Sequence, residues 1–400
     1  MNFGFNEEQD LLRSTARKFF DNECASVTVR KLMDGPEGMT PDLWKKMAEQ
    51  GWTGLIFAEE HGGMGLGFVD LVVLMEEMGR AVVPGPFFST VLLGGLAVRE
   101  AGTDVQKKAW LPKISSGEAR ATLAWMEPSA ELGSRGITLQ ATAKGTGFQL
   151  SGTKLFVHDA HTADVIVVAA RTSSGQNPPA GGQNPPAGGQ NPPAGGQNPE
   201  DGVSLFLVPK GTPGMSVTLL PTMDQTRKLC EVALKDVVLG AEALMGQAGS
   251  GWAPLARVID RATVALCAEM CGGAQKVLEM TVEYAKIRQA FGRPIGSYQG
   301  VKHKAADMLV DVENSKSITY YAAWAVDEGV PEGQLAVSMA KAYVSDAYRR
   351  ISGAGIQLHG GIGFTWEHDL HLYFKRAKGS EFTFGDATWH RERVAQLVNL

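Results

Sequence analysis

The chain has few cysteines, four in 400 residues, and no excess of charge of one sign. With 38 Lys and Arg against 43 Asp and Glu, the net charge is −5 and the pI is about 6.0. That balance gives no electrostatic case for binding nucleic acid or an anionic membrane surface. So few cysteines exclude a disulfide framework and suggest reduced thiols in a cytoplasmic protein. Cys267 and Cys271 share a helix face, but with no histidine nearby they fit core packing rather than a metal site. The N-terminal run MNFGFNEEQDLL lacks a basic stretch followed by an apolar one, so no signal peptide is expected. The longest apolar stretch, Phe87 to Val98, is too short and too interrupted by glycine for a membrane span and predicts a buried helix.

What is present is a helical, then β, then helical pattern of periodicity. Residues 1–118 carry helical spacing. Asn6 and Gln9 form a candidate capping box ahead of Leu11, Leu12, Ala16, Phe19 and Phe20, and further helices are predicted over Pro41–Gln50 and Val69–Arg80. Residues 119–238 shift to short β-rich runs (ATLAWM, ITLQATAK, GFQLSGTKLFV, VIVVAAR, VSLFLVPK, MSVTLL) bounded by turn residues, predicting a barrel-like or sandwich domain. Residues 239–400 return to helical spacing over Trp252–Met280, Lys304–Val326 and Glu332–Ile351. Two helical parts flanking a β domain would pack together as one bundle with the β domain at its side. Residues 176–199 hold QNPPAGG three times and then QNP, in which Pro-Pro and Gly-Gly forbid a helix, so a loop insert is expected.

Two runs carry the chemistry. One is RQAFGRPIGSYQ, with Arg288, Phe291 and Gln299; the other is QLHGGIGF, with Gln357, Gly360 and Gly361. An arginine fork suits phosphate oxygens, glycines let backbone come close to a ligand, and glutamines donate and accept. Together with AEEHGG at 58–63, EEMGR at 76–80 and Glu127-Pro128, these runs resemble the acyl-CoA dehydrogenase family over essentially the whole chain outside the insert.

The resemblance implies a mostly helical fold with an inserted β domain and a C-terminal four-helix bundle. It implies FAD as cofactor, an acyl-CoA thioester as substrate, an electron-transferring flavoprotein as electron acceptor and a homologous subunit as oligomer partner. It also implies that Arg288, Phe291, Gln299, Gln357, Gly360 and Gly361 grip the adenosine pyrophosphate part of a FAD seated mainly in a neighbouring subunit.

Other positions depart from the family. Met126 stands where a threonine is usual before Glu-Pro, Ser129–Arg135 keeps little of the usual glycine-serine-aspartate run, and Phe156-Val157-His158 replaces Trp-Ile-Thr. The glutamate base, needed to take the α-proton, is missing from both positions the family uses. Phe384 (or Gly385, with a one-residue gap) stands at one and Ala262 at the other. Asp386 is the nearest carboxylate, either a displaced base or an N-cap of the last helix. The expected function is FAD-dependent desaturation of a CoA thioester, by a subunit that helps bind FAD but lacks the base. FGDATWHRER resembles the C-terminus of such subunits in bacteria that degrade steroid side chains. The alternatives are a self-sufficient dehydrogenase using Asp386, or a non-redox acyl-CoA lyase or structural partner.

Overall fold

The first helix starts where a capping box forms. Asn6 Oδ1 accepts from the Gln9 backbone N–H at 2.8 Å and Gln9 Oε1 accepts from the Asn6 N–H at 3.1 Å. In this computed structural model, which describes residues 5–172 and 200–400, the N-terminal helices are α1 (Glu7–Glu23), α2 (Ser26–Asp34), α3 (Pro41–Glu49), α4 (Phe68–Arg80), α5 (Leu96–Ala101) and α6 (Asp104–Ser115). The apolar stretch expected to be a buried helix is one, but Phe88–Gly95 is wound as a π-helix that continues into α5. The repeat insert at 176–199 lies outside the described residues.

Among the described residues eight strands follow: β1 (Ala121–Ala124), β2 (Gln140–Lys144), β3 (Gly147–His158), β4 (Val165–Arg171), β5 (Val203–Pro209), β6 (Met215–Leu220), β7 (Leu229–Leu239) and β8 (Leu244–Met245). Then come α7 (Trp252–Ile287), the short strands β9 (Gln289–Ala290) and β10 (Arg293–Pro294), α8 (Gln299–Asp327), α9 (Gly333–His359), α10 (Leu370–Phe382) and α11 (Ala387–Leu397).

These elements sort into two compact units. One joins residues Met1–Gly85, Pro221–Lys228 and Ile259–Leu400, so the first helices and the last are packed together although the β region separates them in sequence. Two glycines make this possible. A Cβ on Gly79 of α4 would lie 1.8 Å from the Glu269 carbonyl oxygen of α7, and one on Gly272 of α7 would lie 1.8 Å from that of Glu76. Backbone meets backbone at this crossing, and no larger residue fits at either place. Within this unit Arg376 of α10 is buried and bonds Asp224 (2.8 Å), Thr226 Oγ1 (2.7 Å) and Glu269, which also accepts from Arg227 at 2.6 Å. The network ties the Pro221–Lys228 segment to the helices. α9 is the central helix of the C-terminal part, packed by α8, α10 and α11.

The other unit joins Pro86–Leu220 and Leu229–Val258. Its strands form one sheet in the order β6-β7-β3-β2-β4-β5-β8, with β1 parallel to β4. β4 is buried along all seven residues, as its unbroken apolar run suits a central strand. The core gathers Leu150, Val157, Val232 and Leu234 from one end of the sheet with Ile166, Val168, Phe206 and Val208 from the other, so the sheet folds over on itself. β7 was not among the β-rich runs: its charged residues mask the alternation by which Cys230, Val232 and Leu234 are buried.

Candidate functional site: two motifs brought together at the ends of two helices

Arg288 follows directly on α7, its N–H still bonded to the Tyr284 carbonyl at 2.9 Å. Beyond it β9 and β10 form a tight hairpin whose two turn residues, Phe291 and Gly292, both have positive φ (51° and 79°). Glycine takes that conformation freely; phenylalanine takes it at a cost. The result is a phenyl ring that is 97% exposed at the tip. Arg288 and Gln299, the first residue of α8, are exposed too. The hairpin is closed by the Ile295 N–H on the Arg288 carbonyl (2.8 Å) and by the Tyr298 hydroxyl on the Ala290 carbonyl (2.9 Å).

The second motif ends α9. Gln357 is exposed in its last turn, and Gly360 breaks the helix with φ +64°. A Cβ on Gly360 or Gly361 would meet nothing within 4 Å, whereas one on Gly363 would lie 2.8 Å from the Ile356 carbonyl oxygen. Gly363 is therefore required by packing. Gly361 is required by nothing among the described residues, which leaves an open backbone surface there.

The two motifs meet through residues between them. The Tyr284 ring, one turn before Arg288, stacks on the His359 ring next to Gly360, with centroids 4.3 Å apart and planes 21° apart. Four residues earlier on α9, a Cβ on Gly355 would lie 2.7 Å from Val277 Cγ1 of α7, so the helices approach closely there. His359 Nδ1 lies 2.7 Å from the Gly355 carbonyl, which can only accept, so that nitrogen carries the proton. Burial pushes the His359 pKa down and keeps the ring neutral. The sequence motifs supplied Arg288, Phe291, Gln299, Gln357, Gly360 and Gly361. They gave no role to Tyr284, His359 or Gly355, whose only signal was an aromatic one turn before the arginine and a histidine beside the glycine pair.

The two positions that the resemblance marks for a base hold no carboxylate. Ala262 is fully buried in α7. Phe384 is buried with φ +62° in the turn between α10 and α11, and Gly385 follows with φ +105°. Asp386 is partly buried and its Oδ1 accepts from the Trp389 N–H at 2.8 Å, which makes it the N-cap of α11.

In the β unit, Glu127 accepts from the Thr138 N–H (2.9 Å), the Leu139 N–H (2.9 Å), the Thr138 hydroxyl and the buried Lys154 ammonium (2.7 Å). Burial opposes the charge, yet Lys154 and these donors hold the Glu127 carboxyl below its usual range, while burial pulls Lys154 down to about 8. Arg171 closes the same loop from beneath, bonding the carbonyls of Ser134 (2.7 Å) and Ile137 (2.6 Å). Phe156, at φ 55°, sits at a bulge in β3 and is half exposed, and His158 is buried with its ring against Phe88. Met126 is partly exposed just before Glu127.

Comparison with known proteins places this arrangement in a family. Residues 6–118 match the acyl-CoA dehydrogenase N-terminal domain and residues 249–398 the acyl-CoA dehydrogenase C-terminal domain. The acyl-CoA dehydrogenase IpdE2 of Mycobacterium tuberculosis is 30% identical over 375 residues, which is 94% of this chain and 92% of that protein. The acryloyl-CoA reductase (NADH) of Anaerotignum propionicum is 27% identical over 100% of this chain and 96% of its own. A crystal structure of the ChsE4-ChsE5 complex from Mycobacterium tuberculosis superposes with a TM-score of 0.86 at 26% identity, over 100% of this chain and 99% of that one.

The chain belongs to the acyl-CoA dehydrogenase family. Membership makes it an oxidoreductase of the CH–CH class, with FAD as the cofactor of that class. The residues fit part of that cofactor. A pyrophosphate needs a cationic fork and backbone without side chains in the way, and the ends of α7 and α9 offer Arg288 with no carboxylate paired to it among the described residues, beside an open Gly360-Gly361.

Proposed function

We propose that this chain is the base-less subunit of a hetero-oligomeric acyl-CoA dehydrogenase. The observation that carries the proposal is the contrast between its two functional regions. The residues assigned to the pyrophosphate are all present, with Phe291 exposed and Gly360-Gly361 open, while Phe384 and Ala262 stand where the resemblance places the family's glutamate. Bound FAD supplies the hydride acceptor for Cα–Cβ desaturation of a CoA thioester.

This chain's own share is binding and orientation. Arg288 pairs with phosphate oxygens, Gln299 and Gln357 hydrogen-bond polar atoms of the cofactor, Phe291 covers an aromatic face, and Gly360-Gly361 admit the pyrophosphate to the backbone. The homologous partner provides the carboxylate and the larger part of the flavin site, and electrons leave to an electron-transferring flavoprotein. The ChsE4-ChsE5 complex supports a paired subunit, and likeness to the solved steroid ACAD Tcur3481-Tcur3483 supports a role in steroid side-chain degradation. Four unpaired cysteines support a cytoplasmic location.

The visible spectrum of the chain purified alone tests the proposal. Substoichiometric flavin that rises to a full complement on mixing with the partner is the expected result. A full complement of flavin in the isolated chain, together with turnover of an acyl-CoA, sinks it.

A further inference from the structure

Lys341 of α9 is fully buried, yet it forms no salt bridge with a carboxylate among the described residues. Its ammonium has three N–H groups, and each finds an oxygen: Ser345 Oγ at 3.0 Å, the Glu381 carbonyl at 2.9 Å and the Gly385 carbonyl at 2.8 Å. The Glu381 carbonyl is one of those α10 leaves without a helical partner, at the negative end of its dipole. The Gly385 carbonyl lies just past the two positive-φ residues. One buried cation thus ties together the two sides of the turn that contains Phe384.

A second tie comes from α11. His390 Nε2 lies 3.1 Å from the Phe384 carbonyl, so that nitrogen carries the proton and donates. Asp386 completes the frame as N-cap. A buried ammonium is costly unless its bonds are satisfied, and here all of its bonds are spent on two carbonyls of one turn and a serine on its own helix. Packing alone would be served as well by methionine.

We infer that Lys341 is a positioning residue: it holds the Phe382–Asp386 turn in the form that a catalytic carboxylate at position 384 requires, so that the chain keeps the frame for a base without the base. This rests on the assignment of position 384 under Proposed function. The left-handed φ at Phe384 agrees with it, because phenylalanine gains nothing from that conformation, whereas a turn held from three sides imposes it on any residue.

The test has two arms, both on the full chain. In the first, amide hydrogen exchange of the 382–391 peptide is compared among wild type, Lys341→Met and Lys341→Arg. Exchange at the turn faster by about tenfold or more in Lys341→Met, with α8 unchanged and partial recovery in Lys341→Arg, is expected. Unchanged exchange at the turn, or acceleration spread evenly over α8 to α11, overturns the inference. Should Lys341→Met not fold, His390→Phe removes the bond to the Phe384 carbonyl alone and is measured in the same way.

In the second arm, Phe384→Glu loaded with FAD is mixed anaerobically with butanoyl-, octanoyl- or hexadecanoyl-CoA. Bleaching of the flavin that falls about a hundredfold in rate in Phe384→Glu/Lys341→Met, with flavin still bound, is expected, as for a displaced general base. Bleaching that survives the second substitution overturns the inference; should Phe384→Glu hold flavin but never bleach, because this chain lacks the larger part of the flavin site, the exchange arm decides the role of Lys341. A chain that takes up no FAD under any condition overturns the proposed function instead, and the exchange arm then decides the role of Lys341 by itself.

Discussion

The Tyr284 ring lies stacked on the His359 ring, 4.3 Å between centroids, and this contact sets the end of α7 beside the end of α9. Arg288 is one turn beyond the tyrosine and Gly360 is the next residue after the histidine, so the stack fixes the spacing of the two groups assigned to the pyrophosphate. Tyr284→Phe keeps the ring and is expected to leave FAD affinity unchanged. Tyr284→Ala is expected to weaken FAD binding and to lower stability by about 1 kcal/mol from the ring pair alone. Titration with FAD and thermal unfolding of both variants check this; equal affinity in Tyr284→Ala and wild type would show that the stack does not set the site.

Arg288 offers a fork of donors that no carboxylate among the described residues occupies. Arg288→Gln is expected to cost about 1.5–3 kcal/mol of FAD binding, roughly ten- to a hundredfold in Kd. Arg288→Lys should recover only part of it, since a lysine lacks the planar fork. Isothermal titration of the subunit pair measures both.

Asp386 separates two functions by the choice of replacement. As the N-cap of α11 it is expected to lose about 1 kcal/mol of stability on change to Ala and little on change to Asn, which caps as well. A base would behave in the opposite way, with Asn abolishing flavin bleaching by substrate. Urea unfolding alongside the bleaching assay for Asp386→Asn distinguishes the two, and lost bleaching at unchanged stability would make Asp386 the base.

Stability should fall as the pH falls below about 6.5. Burial, with Lys341 and Arg393 adding to it, pulls the His390 pKa down to about 3 from the ordinary 6.5. The unfolded chain therefore binds a proton at higher pH than the folded one. The stabilisation is complete above the unfolded value and is lost as pH drops from about 6.5 toward 3. His359, His368 and His371 are shifted down by burial as well and act with the same sign. Denaturant unfolding between pH 7 and pH 4 is expected to show the decline, with a shallower slope in His390→Gln; an identical slope in the variant would remove His390 from the account.

Glu269 sits buried between Arg227 and Arg376, which hold its carboxyl below the usual range against the cost of burial. Glu269→Ala takes one buried carboxylate from both arginines while Arg376 keeps Asp224, and should cost about 3 kcal/mol. Replacing Glu269 and Arg376 together by Met also strips the buried Asp224 of its arginine and should cost more than Glu269→Ala alone. Chemical denaturation of both variants tests the order.

Much of the fold was legible from periodicity. The capping box at Asn6, the helices starting at Pro41 and near Val69, and six of the strands stand close to where the residues predicted them, because local spacing and turn chemistry decide such elements. β7 escaped because a strand with Glu231, Lys235 and Asp236 among its eleven residues gains its burial only from β3 and β6 beside it. α9 runs on to His359 through Gly353 and Gly355, glycines that suggest a stop. Gly355 is there because Val277 and Thr281 of α7 leave no room for a Cβ.

The sequence by itself determined the family, the residues assigned to FAD and the absence of glutamate at positions 262 and 384. Those are matters of residue identity and spacing along the chain, which one sequence displays in full. Tertiary structure decided what joins them. It set Tyr284 against His359, placed Gly79 and Gly272 at a backbone crossing, and brought Lys341 to two carbonyls some 40 residues further on. Each of these pairs is distant in sequence, and no local pattern marks it. The contact exists only once burial of apolar faces has driven the helices together and a buried donor such as the Lys341 ammonium has met its acceptors there.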